Sequence, residues 1–293
     1  MHSNCSDGTL SPTEIVELAA ARGLRAMAIT DHDTVRGVAE ASAVGQKAGI
    51  KVIPAVELSI RSEPEKGFIE FHLLGYCIDH EDEELKRVLD KVMQARIAQK
   101  TEQIKILQGE GLDVSVEEVF SLAKGVPGRL HIAEVVMRRN PGRFASREDF
   151  IKEYLIVGGK AYVKRPFSVT LARAIEVVVA AGGVPVLAHP GVYVKVVDIE
   201  AALRLAQVLG LRGLEIAYPY NKNRPHHGAD AHQVRAIIDR FEALADQLGL
   251  LKTGGSDFHG QTKDIELGEM GLNYEAFEAF MSGVASPAQS LNY

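Results

Sequence analysis

The sequence predicts an α/β fold closed into a barrel, on three observations. Short apolar runs rich in Ala, Val, Ile and Leu recur along the chain. They are near-continuous rather than alternating, as suits parallel strands covered on both faces. Amphipathic helical stretches separate most of them, and the number of strand–helix units favours a barrel over an open sheet.

The elements follow in order. The opening "MHSNCSDGTL" is polar and stands where a first strand would end. Ser11, Pro12 and Glu14 then give an N-cap, a first-turn proline and a capping box, with Ile15, Leu18 and Ala19 as the buried stripe of the first helix. Strands are predicted at "AMAIT" ending at Thr30, "VIPAV" ending at Val56, "VPVLA" ending at Ala188, "GLEIAY" ending at Tyr218 and "LLKTGG" ending at Gly255. "FIEFHLLGY" is read as an alternating strand with Phe68, Glu70, His72 and Leu74 on one face. A helix from about Ser168 to Ala181 stops at Gly182-Gly183. Between Asp79 and Gly159 the pattern changes to a long helix, with Leu85, Val88, Leu89 and Val92 at helical spacing, and shorter helices after it. Ser115 and Glu118 mark another capping box there. Residues 79–159 are therefore expected as a small helical insertion in a discontinuous barrel of residues 1–78 and 160–293.

Composition narrows the function. The net charge of −6 gives no general attraction for duplex DNA or an anionic membrane. No apolar run approaches the ~20 residues that span a bilayer, and no secretory leader pattern is visible. Two cysteines, Cys5 and Cys77, are too few for a disulfide framework, so a reducing cytoplasm is expected.

The polar residues gather at strand ends. His32 follows "AMAIT", Glu57 follows "VIPAV", His189 follows "VPVLA", and Asp257 and His259 follow "LLKTGG". In parallel α/β folds ligands bind beyond the carboxyl ends of strands, so these groups should converge, joined by the opening cluster from His2 to Asp7. Taken singly, each has a plain structural reading as a cap, a turn or a hydrogen-bonded imidazole. Together they form a set of imidazoles and carboxylates suited to divalent Mn, Fe or Zn, and without metal the carboxylates would repel. Cys5, a lone thiol among hard ligands, is left out.

"HSNCSDG", "TDHD", "AVE", "FHLLGY", "AHPG" and "GGSDFHG", in this order, resemble the PHP (polymerase and histidinol phosphatase) superfamily. The likeness runs nearly end to end and is greatest for the metal-dependent phosphoesterase branch that includes nucleoside 3′,5′-bisphosphate phosphatases. The resemblance implies a distorted seven-stranded β/α barrel holding two or three divalent ions, manganese foremost, with iron or zinc as alternatives. It implies that Glu57 bridges two metals, that His2 and Asp257 bind the first, and that His72 and His189 bind the second. Asp7, His32 and His259 would hold a third. Arg129 and His131 of "GRLH" and Lys160 of "GGKAYV" match positions that face the substrate phosphate and are expected to take part in catalysis.

The family pattern opens Asp–hydrophobic–His–x–His after an apolar strand; here Met1 stands at x and His2 is the second histidine. The expectation is a misplaced start, with a short strand ending in Asp-x-His encoded upstream. No Ser-His-Asp set, activated Cys or Gly-rich phosphate loop is evident, so the expected nucleophile is a metal-activated water. The favoured activity is release of phosphate from a small phosphomonoester, foremost the 3′-phosphate of a nucleoside 3′,5′-bisphosphate. Two readings stay open beside it: a phosphodiesterase or 5′→3′ exoribonuclease on short RNA, and an inactive metal-binding regulator. Oligomeric state is not legible.

Overall fold

The computed structural model describes residues 1–285 apart from Lys124 and Val126. A curled six-stranded sheet carries β1 (Ala26–Ile29), β2 (Lys51–Ser59), β3 (His72–Tyr76), β4 (Val184–Leu187), β5 (Gly213–Ala217) and β6 (Leu251–Gly254), in sequence order. Around it lie α1 (Pro12–Ala21), α2 (Val38–Ala48), α7 (Leu171–Ala180), α8 (Ile199–Val208), α9 (Ala231–Leu248) and α10 (Tyr274–Ala285). Between β3 and β4 come α3 (Glu83–Gly109), α4 (Val116–Ala123), α5 (Arg129–Arg139) and α6 (Arg147–Phe150), the last running into a π turn at Ile151–Leu155.

The apolar runs form strands where expected, buried by helices. Ile53, Ala55, Leu74, Val184 and Val186 line one buried cluster, while Val56, Leu58, Leu73, Leu187 and Leu214 belong to another under α7, α8 and α9. The capping box of α1 forms in full, Ser11 accepting from the Glu14 amide and Glu14 answering at the Ser11 amide. Its buried face is Ile15, Val16 and Ala19, with Leu18 only partly covered. At α4 half of the expected box forms: Ser115 Oγ caps the Glu118 amide, while the Glu118 carboxylate turns to Arg138 and Arg139.

The sheet departs from the all-parallel expectation at β3. This strand is antiparallel to both neighbours, pairing Glu57 with Leu74 and Ser59 with His72 on one side and Leu73 with Leu187 on the other. It is also shorter than the alternating pattern suggested, because Glu70 adopts a left-handed φ of 58° that breaks extension before His72. Reversal has a consequence for position. The start of β3, where His72 stands, lies at the same end of the sheet as the carboxyl ends of the parallel strands. Glu57 likewise sits inside β2 rather than after it, because pairing with β3 prolongs β2 to Ser59.

Met1 and His2 lie between the two outer strands. The Thr30 amide donates to Met1 O at 2.8 Å beyond β1, and the His2 amide donates to Phe258 O at 2.8 Å beyond β6. The opening segment thus joins the two edges of the sheet, the place the sequence assigned to the end of a first strand.

The helices between β3 and β4 make a core of their own. Ile104, Leu107, Val119, Ile132, Val136 and Phe150 pack together, each at most 0% exposed. The first turns of α3, through Leu85, Val88 and Leu89, join the apolar cluster of the β/α body. No helix among the described residues is long and apolar enough to cross a membrane.

Candidate metal centre

Glu57 is 3% exposed and stands at the middle of the centre. Its Oε1 lies 2.6 Å from His72 Nδ1, 3.4 Å from His189 Nε2 and 4.0 Å from His32 Nδ1, and its Oε2 lies 3.0 Å from His2 Nε2. His2 Nε2 is also 3.1 Å from Asp257 Oδ1. Asp7 Oδ1 lies 3.4 Å from His259 Nε2 and 3.6 Å from His2 Nδ1, and its Oδ2 lies 4.0 Å from His32 Nε2. His32, Glu57, His72, His189, Asp257 and His259 line one pocket of about 210 Å³, and His2 and Asp7 adjoin them through the contacts just given.

Three tight groups can each hold an ion: His2, Asp7, His32 and His259; His2, Glu57 and Asp257; and His32, Glu57 and His72. The first gathers Asp7, His32 and His259 with His2, and the second gathers His2 and Asp257 with Glu57. In the third, His32 rather than His189 completes the set with Glu57 and His72, although His189 remains beside Glu57. Cys5 belongs to none of them.

The donor set fits divalent metal. His2 Nδ1, His32 Nδ1 and His189 Nδ1 are buried without a hydrogen-bond partner, a costly state for imidazole nitrogens. The ligands are hard to borderline, with no thiolate, which suits Mn, Fe or Zn. Burial opposes charge on His2, but hydrogen bonds to the Asp257 and Glu57 carboxylates outweigh it and lift the imidazole to about 10. Burial and the charge of His2 in turn push His259 down to about 3. Burial would raise Glu57, yet the charge of His32 and hydrogen bonds from three histidines hold it well below the carboxylate range. Metal ligation requires ionised carboxylates and neutral imidazoles, so binding an ion here would displace the His2 proton.

Local backbone and a surrounding layer hold the groups in place. His189 and Asp257 sit at φ 29° and 51°, a left-handed region non-glycine residues rarely enter, and such strain concentrates at working sites. The Glu215 carboxylate, pushed up to about 7 by burial, accepts from the His189 amide at 3.0 Å. Tyr218 Oη and Lys263 Nζ donate to Asp257 Oδ2 at 3.0 and 2.6 Å. The opening loop is pinned by Asp31, which accepts from the Ser3 amide and the Ser3 and Ser6 hydroxyls at 2.6–2.7 Å. Thus the serines of "HSNCSDG" and the first aspartate of "TDHD" place ligands without being ligands.

The phosphate-facing expectations divide. His131 lies within electrostatic reach of Asp7, and burial lowers it below its usual value. Its Nδ1 accepts from the Gly128 amide at 3.1 Å, which leaves Nε2 to carry the proton. Arg129 joins a cationic group with Arg96, Lys100 and Arg165, in which Arg96 and Arg129 add to burial in pushing Lys100 and Arg165 down. Lys160 is not brought there. Its ammonium is exposed, pairs with Glu153 at 2.5 Å and lies over the Tyr154 ring, because the turn after the π segment points it outward.

Sequence reasoning missed several residues. Arg96 pairs with buried Asp33 and reaches Ser59 Oγ at 3.2 Å. Lys100 is 5% exposed, with its ammonium on Gln103 Oε1 at 2.8 Å. Burial, then Arg96, Arg129 and Arg165, push Lys100 down to about 7. A polar residue on the buried stripe of a long helix was the only available signal, and it is a weak one.

The comparisons agree with this picture. The family described as "PHP domain" matches residues 1–163. The chain is 30% identical over 276 residues to a 3′,5′-nucleoside bisphosphate phosphatase of Chromobacterium violaceum, covering 90% of each. It is equally 30% identical over 276 residues to a 5′-3′ exoribonuclease of Haemophilus influenzae, covering 92% of this chain and 91% of the relative. A crystal structure from Bifidobacterium adolescentis, assigned by its description to the metal-dependent phosphoesterases, superposes with a TM-score of 0.80. It is 26% identical, with 96% and 94% of the two chains covered. A Chromobacterium violaceum structure described as an amidohydrolase gives 0.76 at 27% identity, covering 99% and 98%. Fold, converged donor groups and sequence together show that this chain belongs to the PHP domain family and is a metal-dependent phosphoesterase.

Proposed function

We propose that the protein hydrolyses a small phosphomonoester, with the 3′-phosphate of a nucleoside 3′,5′-bisphosphate as its target. The observation that carries the reading is the convergence on Glu57 of histidines from the opening loop, the loops after β1 and β4, and β3. In this reading Glu57 would serve two ions, His2 and Asp257 would hold the first with it, His72 and His189 the second, and Asp7, His32 and His259 would hold a third. Such ions, manganese foremost, supply Lewis acidity to phosphoryl oxygens and a water of lowered pKa.

The chain's own residues do the rest. Glu57 and Asp257 fix the positions of the imidazoles facing the phosphoryl group, and Lys263 and Tyr218 keep Asp257 from turning away. His131 Nε2 carries a proton where it can bond a phosphoryl oxygen or protonate the leaving alkoxide. Arg96, Lys100, Arg129 and Arg165 suit a second anionic group: among the described residues the ion pair they make is with Asp33. Cations so poorly neutralised, with Lys100 buried and Arg96 and Arg165 partly covered, favour an anion between them. This supports a substrate with two phosphoryl groups.

We further take residues 79–159 as a discrete helical unit set into a barrel of residues 1–78 and 160–293, supported by the separate apolar cluster of α3 to α6. A nucleotide substrate and two free cysteines suit a cytoplasmic location.

The second reading, a 5′→3′ exoribonuclease on short RNA, is favoured by the equal identity to the Haemophilus influenzae enzyme. The same cations could hold a backbone phosphate. Phosphate release from adenosine 3′,5′-bisphosphate, set against shortening of a 5′-phosphorylated oligoribonucleotide with manganese present, separates the two. Preference for the oligonucleotide would reject the first reading.

A further inference from the structure

The β3–β4 ladder ends on an irregularity. The register that sets Leu73 against Leu187 puts His72 opposite Ala188. In an antiparallel ladder, residues so placed exchange both amide–carbonyl bonds or neither. Here one of the two forms directly, the Ala188 amide donating to His72 O at 3.1 Å. The His72 amide donates instead to Tyr193 Oη at 3.0 Å, and Tyr193 Oη donates to Ala188 O at 3.0 Å. A phenolic hydroxyl is thus inserted into the second bond of the pair. We propose that Tyr193 is a positioning residue of the metal centre, whose inserted hydroxyl holds the ends of β3 and β4 apart where His72 and His189 leave them and so sets the spacing of two imidazoles for one divalent ion. The proposal rests on the metal-centre reading of Glu57 and its neighbours, and not on the identity of the substrate.

Packing fixes where the hydroxyl sits. The short turn Pro190–Val192 folds the chain back over the strand ends, with the Val192 amide donating to His189 O at 3.1 Å. Inside that turn a Cβ on Gly191 would come within 2.6 Å of the buried Tyr220 ring, so the turn lies close on the body beneath it. His226 Nε2 meets Gly191 O at 2.9 Å and ties the turn to the loop after β5. The Tyr193 ring tilts against buried Phe71 with centroids 4.7 Å apart, and lies 5.6 Å from the His189 ring.

The two residues that the hydroxyl separates lead directly to donors. His72 is one itself, and His189 follows Ala188. Their rings stand edge to face with centroids 5.4 Å apart, both beside Glu57 Oε1. Without the hydroxyl, the His72 amide and the Ala188 carbonyl lose a partner that backbone groups require. The ready repair is the direct His72–Ala188 bond, and making it draws the strand ends together and shifts both imidazoles relative to Glu57. Groups that orient ligands in this way are worth roughly tenfold to hundredfold in metal affinity.

The test uses the full-length protein freed of metal and two variants, Tyr193→Phe and Tyr193→Leu, with folding checked by circular dichroism. Tyr193→Phe keeps the ring on Phe71 and removes the hydroxyl alone. The first readout is binding of manganese alone, followed by the electron paramagnetic resonance signal of the free ion, which needs no turnover. In Tyr193→Phe one class of site should weaken by roughly tenfold to hundredfold while another keeps its wild-type affinity, and Tyr193→Leu should lose the same site. The second readout is the manganese concentration giving half-maximal phosphate release, which should rise in the same ratio in Tyr193→Phe, with kcat recovered once manganese saturates. Wild-type manganese binding in Tyr193→Phe, with the loss confined to Tyr193→Leu, would overturn the proposal, because the ring and not the hydroxyl would then matter. A kcat lowered at every manganese concentration with binding unshifted would overturn it too. Wild-type protein that binds no manganese would reject the metal centre and the proposal with it. If the wild type binds manganese but releases no phosphate, the first readout still decides the proposal and the phosphatase reading alone falls.

Discussion

His2 Nε2 lies 3.0 Å from Glu57 Oε2 and 3.1 Å from Asp257 Oδ1, so a single imidazole joins the opening loop, β2 and the loop after β6. Removing Glu57 should therefore undo the centre from its middle. In Glu57→Gln the expected loss of kcat/KM with manganese exceeds the roughly 100-fold typical of residues acting through a ligand. Steady-state phosphate release checks it. A variant retaining a tenth or more of wild-type turnover would contradict a bridging role.

Lys100 supplies a pH dependence whose sign is fixed. Burial, with help from Arg96, Arg129 and Arg165, pushes it down to about 7 in the folded chain, against about 10.4 when unfolded. Below pH 7 both states are protonated and folding bears the full cost of burying the ammonium. Between the two values the unfolded chain binds more protons, so stability rises with pH. Lys100→Met removes that cost. Its melting temperature should exceed the wild type's at about pH 6, by a margin that shrinks toward pH 10. A margin that grows with pH would be the wrong sign.

Arg165 tests the cationic group in function. Arg165→Gln should raise KM for adenosine 3′,5′-bisphosphate by roughly tenfold or more, the worth of one charge-assisted hydrogen bond. KM for a monophosphate lacking the second group should move far less. Equal changes for both substrates would place Arg165 outside any second-phosphate site.

Lys160→Ala should leave kcat/KM for the same substrate unaltered. Its ammonium is spent on Glu153 and Tyr154 at the surface. A marked fall in activity would mean that the turn carrying Lys160 reaches the substrate after all.

Much of the fold was legible because apolar runs and caps are local signals. "AMAIT", "VPVLA" and "GLEIAY" became buried strands, and Ser11-Pro12 with Glu14 began α1. Most of the converging polar residues stand beside or within a run that could be recognised, while His2 and Asp7 stand in the polar opening segment. What escaped depends on pairing partners distant in sequence. The reversal of β3 follows from its ladders with β2 and β4, and the left-handed turn at Glu70 that precedes it interrupts a perfect alternating pattern. The supporting roles of Asp31, Asp33 and Glu215 follow from hydrogen bonds made only once the loops close. Lys100 was hidden because one lysine on the buried stripe of a long helix is a weak signal. Lys160 illustrates the opposite failure, since a shared motif does not fix where a surface ammonium points.

Elemental analysis of the purified protein tests the central claim most directly. The account predicts two or three equivalents of manganese, iron or zinc per chain, with at least one lost in Glu57→Gln while the circular dichroism spectrum is retained. Well-folded wild-type protein that takes up no stoichiometric divalent metal, even after incubation with excess manganese, would contradict it.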